Sequence, residues 1–408
     1  MSPSSRVLLG CAIAFHLCML ASWRLGFFNP FFFDSVATGG WRGWDFFALY
    51  QAGHNFLQGD SVYQSDGDKI DVVVPRWTPF RYLPPSAYTV GVLLNLLPAL
   101  PAFRAWVIFT ELLLLFNVAL TWRLVADRDL FARLAAMWLC FTPFYLEIYL
   151  GQFSMVQATL VFVAAVCLWQ GSPNSLFDSA WIASVLWKVN TALFLPLMVR
   201  LRRWRAIVLL IGLVAITTVP YFVFFPDGLP AFLFNFNARA DTHQLGNLGF
   251  MQLVFETLAG LFPGWPVQRI VLIQRALMLL FLGFSAALTF LDRRLDAVDH
   301  LCLWTTTFFL VFHQIWEHHY VMLLPVFVVL YLRTRSRTVL ALYLLVAFFT
   351  PFYFLGLPRA VATDFTLRWT PLQPLWKGLL YHATKPVAAL VLYVYLARRI
   401  VSSPGRQR

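Results

Sequence analysis

The sequence predicts an all-α, polytopic membrane protein with about ten full transmembrane helices and with re-entrant and interfacial helices between them. Three observations lead there. Of 408 residues, 60% are hydrophobic and 12% charged, which is more apolar surface than a soluble domain can hide. Apolar runs long enough to cross roughly 30 Å of hydrocarbon recur along the chain. The arginines behind the net charge of +12 fall in short clusters between those runs, as cytoplasmic loops require. That pattern argues against a nucleic-acid partner and for membrane lipids. The chain reads as one integral membrane domain, 1–408, with no soluble domain at either end.

The elements follow in order. Arg6 precedes an apolar stretch that runs on through Trp23 to Phe33 without a small-residue cleavage site, so the first span reads as an uncleaved signal anchor. Full spans are expected at about 7–28, 104–122, 132–150, 153–170, 206–225, 268–291, 301–316, 319–333, 338–356 and 380–398. Cys11, Cys18, Cys140, Cys167 and Cys302 lie in or beside apolar runs and read as small buried hydrophobes, with no disulfide framework or metal site.

The basic clusters fix the orientation. The strongest is Arg200-Leu201-Arg202-Arg203-Trp204-Arg205; Arg123, Arg128 and Arg133 precede it, and Arg293-Arg294, Arg333, Arg335, Arg337 and Arg398-Arg399 follow. All are cytosolic by the positive-inside rule if two further apolar segments do not cross. Residues 82–101, opened by Tyr82-Leu83-Pro84-Pro85 and closed by Pro98-Ala99-Leu100-Pro101, therefore read as a helix on the outer interface. Residues 178–199 read as a re-entrant pair of half-helices with Lys188-Val189-Asn190 at the tip, tolerated where protein or water covers the break. Both termini are then cytoplasmic. The first outer loop (34–103, with interfacial helices) and the second (226–267) share the outer face with Gly151-Gln152, Lys188 and His313–His319.

Several residues there can carry chemistry. On a helix Asp45, Leu49, Ala52 and Phe56 share a face. Asp45 is either an N-cap or a general base held by a rigid helix; the sequence leaves both open. A lysine in an apolar stretch costs at least roughly 2.5–3.5 kcal/mol on insertion scales. Lys188 therefore reads as facing a cavity or partner, an anionic lipid phosphate fitting best, with snorkelling as the bland alternative. His313-Gln314-Ile315-Trp316-Glu317-His318-His319-Tyr320 lacks the spacing of a zinc helix. It reads equally as an aromatic-belt turn or a phosphate-binding or proton-handling segment. Gln152, with Glu147 one turn earlier, fits an ordinary polar turn. Asn235, Asn237, Arg239, Asp241, His243 and Asn247 form a stretch able to read sugar hydroxyls or simply to meet water.

Taken together, these pieces resemble the polyprenyl-phosphate-mannose-dependent mannosyltransferases of glycosyltransferase family 87, within the multi-pass GT-C superfamily. The resemblance rests on Trp44-Asp45 through Tyr50-Gln51-Ala52, Leu57-Gln58-Gly59 and Tyr63, on Tyr82-Leu83-Pro84-Pro85, on Gly151-Gln152, on Lys188 before Pro196, and on His318-His319-Tyr320. It implies a GT-C-type fold and an inverting transfer of a hexose, mannose by default, from a polyprenyl-phosphate sugar to a lipid-linked or glycolipid acceptor at the outer face. It implies Asp45 as base and Lys188 with His318 or His319 on the donor phosphate; Tyr50, Gln152, Arg239 and His243 are the further candidates for binding substrate. Some superfamily members carry a further acid after the third span and bind a divalent metal there. Gln152 stands in that place here, so neither a metal nor a cofactor is expected. Two other classes compete: a transporter or flippase of a lipid-linked substrate, and a non-enzymatic scaffold. A transporter would set its polar residues near the midplane, and a scaffold has no need of a lysine at membrane depth.

Overall fold

The computed structural model describes residues 1–28, 42–75, 77–234, 246–348, 350 and 375–402, and every regular element among them is helical. α1 (Pro3–Leu25) starts at Ser2, whose side chain accepts from the Ser5 amide, and stops at the left-handed Gly26. α2 (Trp44–Gln58) is amphipathic and lies outside the long apolar helices. A short helical stretch, Pro84–Leu94, contains a π turn at Ala87–Gly91. α3 (Ala99–Leu124) follows. α4 (Arg128–Leu139) and α5 (Thr142–Leu150) form one path bent by 40° ahead of Pro143. α6 (Ser154–Gln170) and α7 (Asn174–Trp187) pack as neighbours. A 3₁₀ turn (Val189–Phe194) leads to α8 (Leu195–Arg200). α9 (Trp204–Phe224), α10 (Gly228–Phe234), α11 (Phe250–Leu261), α12 (Val267–Leu291) and α13 (Ala297–Val311) come next. A second 3₁₀ turn (Glu317–Leu323) leads into α14 (Leu324–Thr334), then α15 (Arg337–Ala347). α16 (Leu375–Ala383) and α17 (Pro386–Ser402) are bent by 46°.

Among the described residues, four helices are long and apolar enough to cross a membrane: α1, α3, α9 and α12. Counting the bent pairs α4–α5 and α16–α17 as single spans gives six among the described residues, with five shorter apolar helices beside them; the count of about ten is not shown. The reason is that an apolar run records burial, whether by lipid or by protein. α13 is only 15 residues long and buried on every side from Val298 to Val311; α14 is buried from Leu324 to Leu332. Both are core columns, shorter than a full crossing needs. By contrast α9 exposes Val208, Ile211, Ile216 and Val219, and α12 exposes Leu272, Leu279 and Leu280, an apolar belt suited to lipid tails.

Two segments differ from the reading of the sequence or refine it. Residues 82–101 are not one helix. The Asn95 amide donates to the carbonyls of Tyr50 (2.9 Å) and Gly91 (2.8 Å), ending the first piece, and Pro98 opens α3. Residues 178–199 do double back. Lys188 is extended (φ −152°, ψ 116°) and ends α7. Thr191 returns to the level of Ser184, whose hydroxyl it meets at 2.8 Å, and its carbonyl accepts from Trp181 Nε1 at 3.0 Å. Arg203 then pairs with Asp178 at 2.7 Å, back at the start of α7.

The ends of the bundle are chemically distinct. At one, the Ser2 amide donates to Asp129 (2.6 Å), Arg200 to the Asp292 carbonyl (2.9 Å), and Arg333 and Arg399 both reach Asp299 (2.7 and 2.6 Å). Arg333 also pairs with Asp296. This is the arginine-rich end. α6 runs 17 residues, about 25 Å, from there to Ser154 and the other end.

Candidate active site

At the end remote from that arginine cluster, four separate stretches converge. The first is α2. Its N-cap is Gly43, in the left-handed region at φ 74° and without a side-chain cap, so Asp45 does not cap the helix. It sits in the first turn, where its charge suits the helix dipole, and its carboxylate is spent elsewhere. Thr78 Oγ1 donates to Oδ1 at 3.2 Å, and the Gln152 side chain donates as well. The Gln152 amide is oriented for this, because its oxygen accepts from the Phe153 amide (3.3 Å) and the Tyr82 hydroxyl (3.4 Å). Asp45 is half-buried and reachable. Burial pushes its carboxyl above the usual carboxylate range, against the hydrogen bonds from Gln152 and Thr78 and the charges of Lys188 and Arg81.

α2 is held in place by a close crossing. A Cβ on Gly53 would lie 2.2 Å from the Gly91 carbonyl carbon, so only glycine permits the contact with the π turn. The loop 59–83 folds back over α2. Gln51 Nε2 donates to the Asp71 carbonyl (2.8 Å), Tyr221 Oη accepts from the Val62 amide (2.7 Å), and the Tyr63 hydroxyl donates to the Tyr82 carbonyl (2.7 Å). That return presents Thr78, Arg81 and Tyr82 to Asp45.

The second stretch is the α5–α6 turn. Gly151 is left-handed (φ 66°), and a Cβ there would meet Phe46 Cβ at 2.5 Å. The Gln152 amide closes the turn on the Glu147 carbonyl (2.9 Å). The third is the hairpin tip. Lys188 is 9% exposed; its Nζ donates to Ser154 Oγ at 3.2 Å and lies 5.8 Å from the Tyr82 ring centroid. Its carbonyl accepts from Gln157 Nε2 at 2.7 Å. The fourth is the Glu317–Leu323 turn, packed against both α5 and α6. His318 and His319 are buried, with ring centroids 4.3 Å apart, and the Lys188 charge bears on both. The Trp316 amide donates to His319 Nδ1 at 2.9 Å, which leaves Nε2 of a neutral ring as a donor. Both His318 ring nitrogens are buried without a hydrogen-bond partner.

Asp45, Gln152, Lys188, His318 and His319 thus share one crevice. Tyr50 faces another way, its hydroxyl donating to the Leu97 carbonyl at 2.9 Å. Arg239 and His243 lie outside the described residues. The reading of the sequence missed Thr78 and Ser154, which carry no signal of their own, and left Glu147 in an ordinary turn. Among the described residues, no group of three or more His, Cys, Asp and Glu is arranged to hold a metal ion.

The second face of the histidine turn is structural. Glu317 pairs with buried Lys385 at 3.1 Å and accepts from the Thr350 amide (3.1 Å) and hydroxyl (2.9 Å). Lys385 also donates to the carbonyls of Val346 (2.7 Å) and Phe348 (2.6 Å). Asn247 ties the approach, accepting from the Ile315 amide at 3.0 Å and donating to the His313 carbonyl at 2.6 Å. These bonds break the apolar run at 301–333 into α13 and the 3₁₀ turn, so His318 and His319 reach the crevice.

A half-buried carboxylate near a lysine and two imidazoles can accept a proton at one side and stabilise a developing anion at the other. No curated protein and no solved structure matches the chain. Residues 80–313, more than half of its length, match the family model described as glycosyltransferase family 87. The matched stretch contains Tyr82, Gln152 and Lys188, and on it the chain belongs to glycosyltransferase family 87, the membrane-embedded glycosyltransferases that its apolar helices fit.

Proposed function

We propose that this membrane glycosyltransferase moves a hexose, mannose first among candidates, from a polyprenyl-phosphate sugar to a hydroxyl of a lipid-linked or glycolipid acceptor. The reaction takes place at the outer face of the membrane, with both termini cytoplasmic. One observation carries the reading: an acid and two imidazoles from separate stretches lie within reach of the Lys188 charge, at the end of the bundle away from the cluster of Arg200, Arg333 and Arg399. The positive-inside rule turns the arginine-rich end to the cytosol, and hence the crevice outward.

The chemistry follows from the charges. Asp45 takes the proton of the acceptor hydroxyl as its oxygen bonds to the anomeric carbon. The bond from that carbon to the phosphate oxygen breaks, and its electron pair leaves with the phosphate. Attack from the side opposite the leaving group inverts the anomeric centre. Polyprenyl phosphate departs with one more negative charge, and Asp45 returns its proton to water. Lys188 and the Nε2–H of His319 face the growing charge as pre-aligned donors in a site of low dielectric. His318, with both ring nitrogens unengaged, is the second imidazole available to that phosphate. No metal or cofactor enters this scheme.

The test is transfer itself. Purified protein in lipid nanodiscs is given a synthetic polyprenyl-phosphate mannose and a glycolipid acceptor, and the product is quantified. Asp45→Asn should lose at least ~10²-fold in rate, the lower end of what general-base catalysis contributes. Full transfer by Asp45→Asn would remove Asp45 as the base.

A further inference from the structure

Glu147 is the least accessible charged group near the crevice, at 0% exposure. The α5–α6 turn wraps it. Its Oε1 accepts from the Met155 amide at 2.8 Å, with the Ser154 amide also directed at the carboxylate. Its Oε2 is fully buried and has no hydrogen-bond partner. Among the described residues neither oxygen is in an ion pair, although the charges of Lys188 and Asp45 both reach the group. A buried carboxylate oxygen left unused is costly, and native proteins seldom keep one without a ligand or water to fill it.

The geometry points to Glu147 Oε2 as the acceptor for a ring hydroxyl of the donor's sugar, deepening the transferase reading on which it rests. Three points argue for this ligand. A sugar hydroxyl both donates and accepts, so it can satisfy Oε2 whether the carboxyl is ionised or protonated, whereas a phosphate is repelled by the ionised form. The adjacent first turn of α6 serves both groups, with Ser154 Oγ holding the Lys188 ammonium and the Met155 amide holding Glu147. Whatever sits on Glu147 therefore neighbours whatever sits on Lys188, as a sugar neighbours its own phosphate. Finally, Glu147 is deep where Asp45 is half-open. The sugar to be moved thus lies inside, while the acceptor enters past Asp45.

The test is binding, which needs no turnover. Affinities of polyprenyl-phosphate mannose and of sugar-free polyprenyl phosphate are measured on the nanodisc-embedded protein by calorimetry. The wild type should bind the sugar phosphate more tightly, by about 10–100-fold, the range of a hydrogen bond to a charged group. Glu147→Gln should abolish that increment and leave sugar-free polyprenyl phosphate unchanged. A panel of donors each lacking one hydroxyl should contain one for which wild type and Glu147→Gln bind alike. An increment that survives in Glu147→Gln overturns the assignment. So does an equal loss for the sugar-free lipid, which would mean that Glu147 acts only through Lys188. If Glu147→Gln does not fold, Glu147→Asp, which keeps the charge and withdraws the oxygen by one methylene, is read the same way. Failure of the transferase reading is recorded separately, as wild-type protein that forms no glycoside or as active Asp45→Asn.

Discussion

Asp45 combines two demands that rarely coincide. As the proposed base, it must stay reachable by a hydroxyl and be basic enough to take its proton. The structure meets both by half-burying the carboxylate, with the neutral donors Thr78 and Gln152 bonded to it and the charges of Lys188 and Arg81 nearby. Because desolvation raises the carboxyl, transfer should fall as pH drops through a value above about 3.9, the ordinary aspartate figure. The pH profile of kcat/KM checks this. The stability sign runs the same way. A raised folded-state value means that ionised Asp45 costs stability above its unfolded value, and the cost is relieved as pH falls through the folded one. Asp45→Asn should therefore unfold at the same or a higher temperature than the wild type at pH 7, read by thermal denaturation. Asp45 and Lys188 were visible in the sequence because a charge in an apolar setting stands out. Thr78 and Ser154 were not, since a hydroxyl acquires meaning only once a loop has carried it to a carboxylate or an ammonium. Glu147 was visible as a lone acid, but the direction of its oxygens depends on a left-handed Gly151.

At the scale of elements, helix position is set by a few close contacts. Gly53 lets α2 touch the π turn at Gly91, with no room for a methyl group. Gly53→Ala should push α2 outward, lower stability by about 1–3 kcal/mol and reduce transfer. Gly212→Ala, on α9 where nothing lies within 4 Å, should be neutral or slightly stabilising. Chemical denaturation of the two variants side by side checks the contrast. The hairpin at Lys188 could be read from the sequence, because a basic cluster follows too soon for another crossing. A turn at His313–His319 could be read as well, but not the full extent of the broken helix over 312–323. Its breaks come from Asn247 and from the Glu317–Lys385 pair, partners 66 or more residues away.

For the whole molecule, apolar runs establish that the chain belongs in a membrane but do not by themselves fix how often it crosses. A window of hydrophobic residues does not distinguish α9, half wrapped in lipid, from α13, wrapped in protein. Orientation rests on the arginine-rich end. In a cysteine-free background, Gly67→Cys should label from outside intact cells and Ser336→Cys only after permeabilisation. Labelling of Ser336→Cys in sealed cells would invert the topology and move the crevice to the cytosol.

The Lys188 ammonium springs from a main chain already immobilised. Gln157 grips its carbonyl, and Ser184 and Trp181 hold the residues that follow. An incoming lipid headgroup therefore has little backbone to tame, and the conformational toll usually levied when a cation closes on its anion was settled during folding. If the proposed donor is right, the slower task left to turnover is moving its greasy, many-carbon tail through the bilayer alongside.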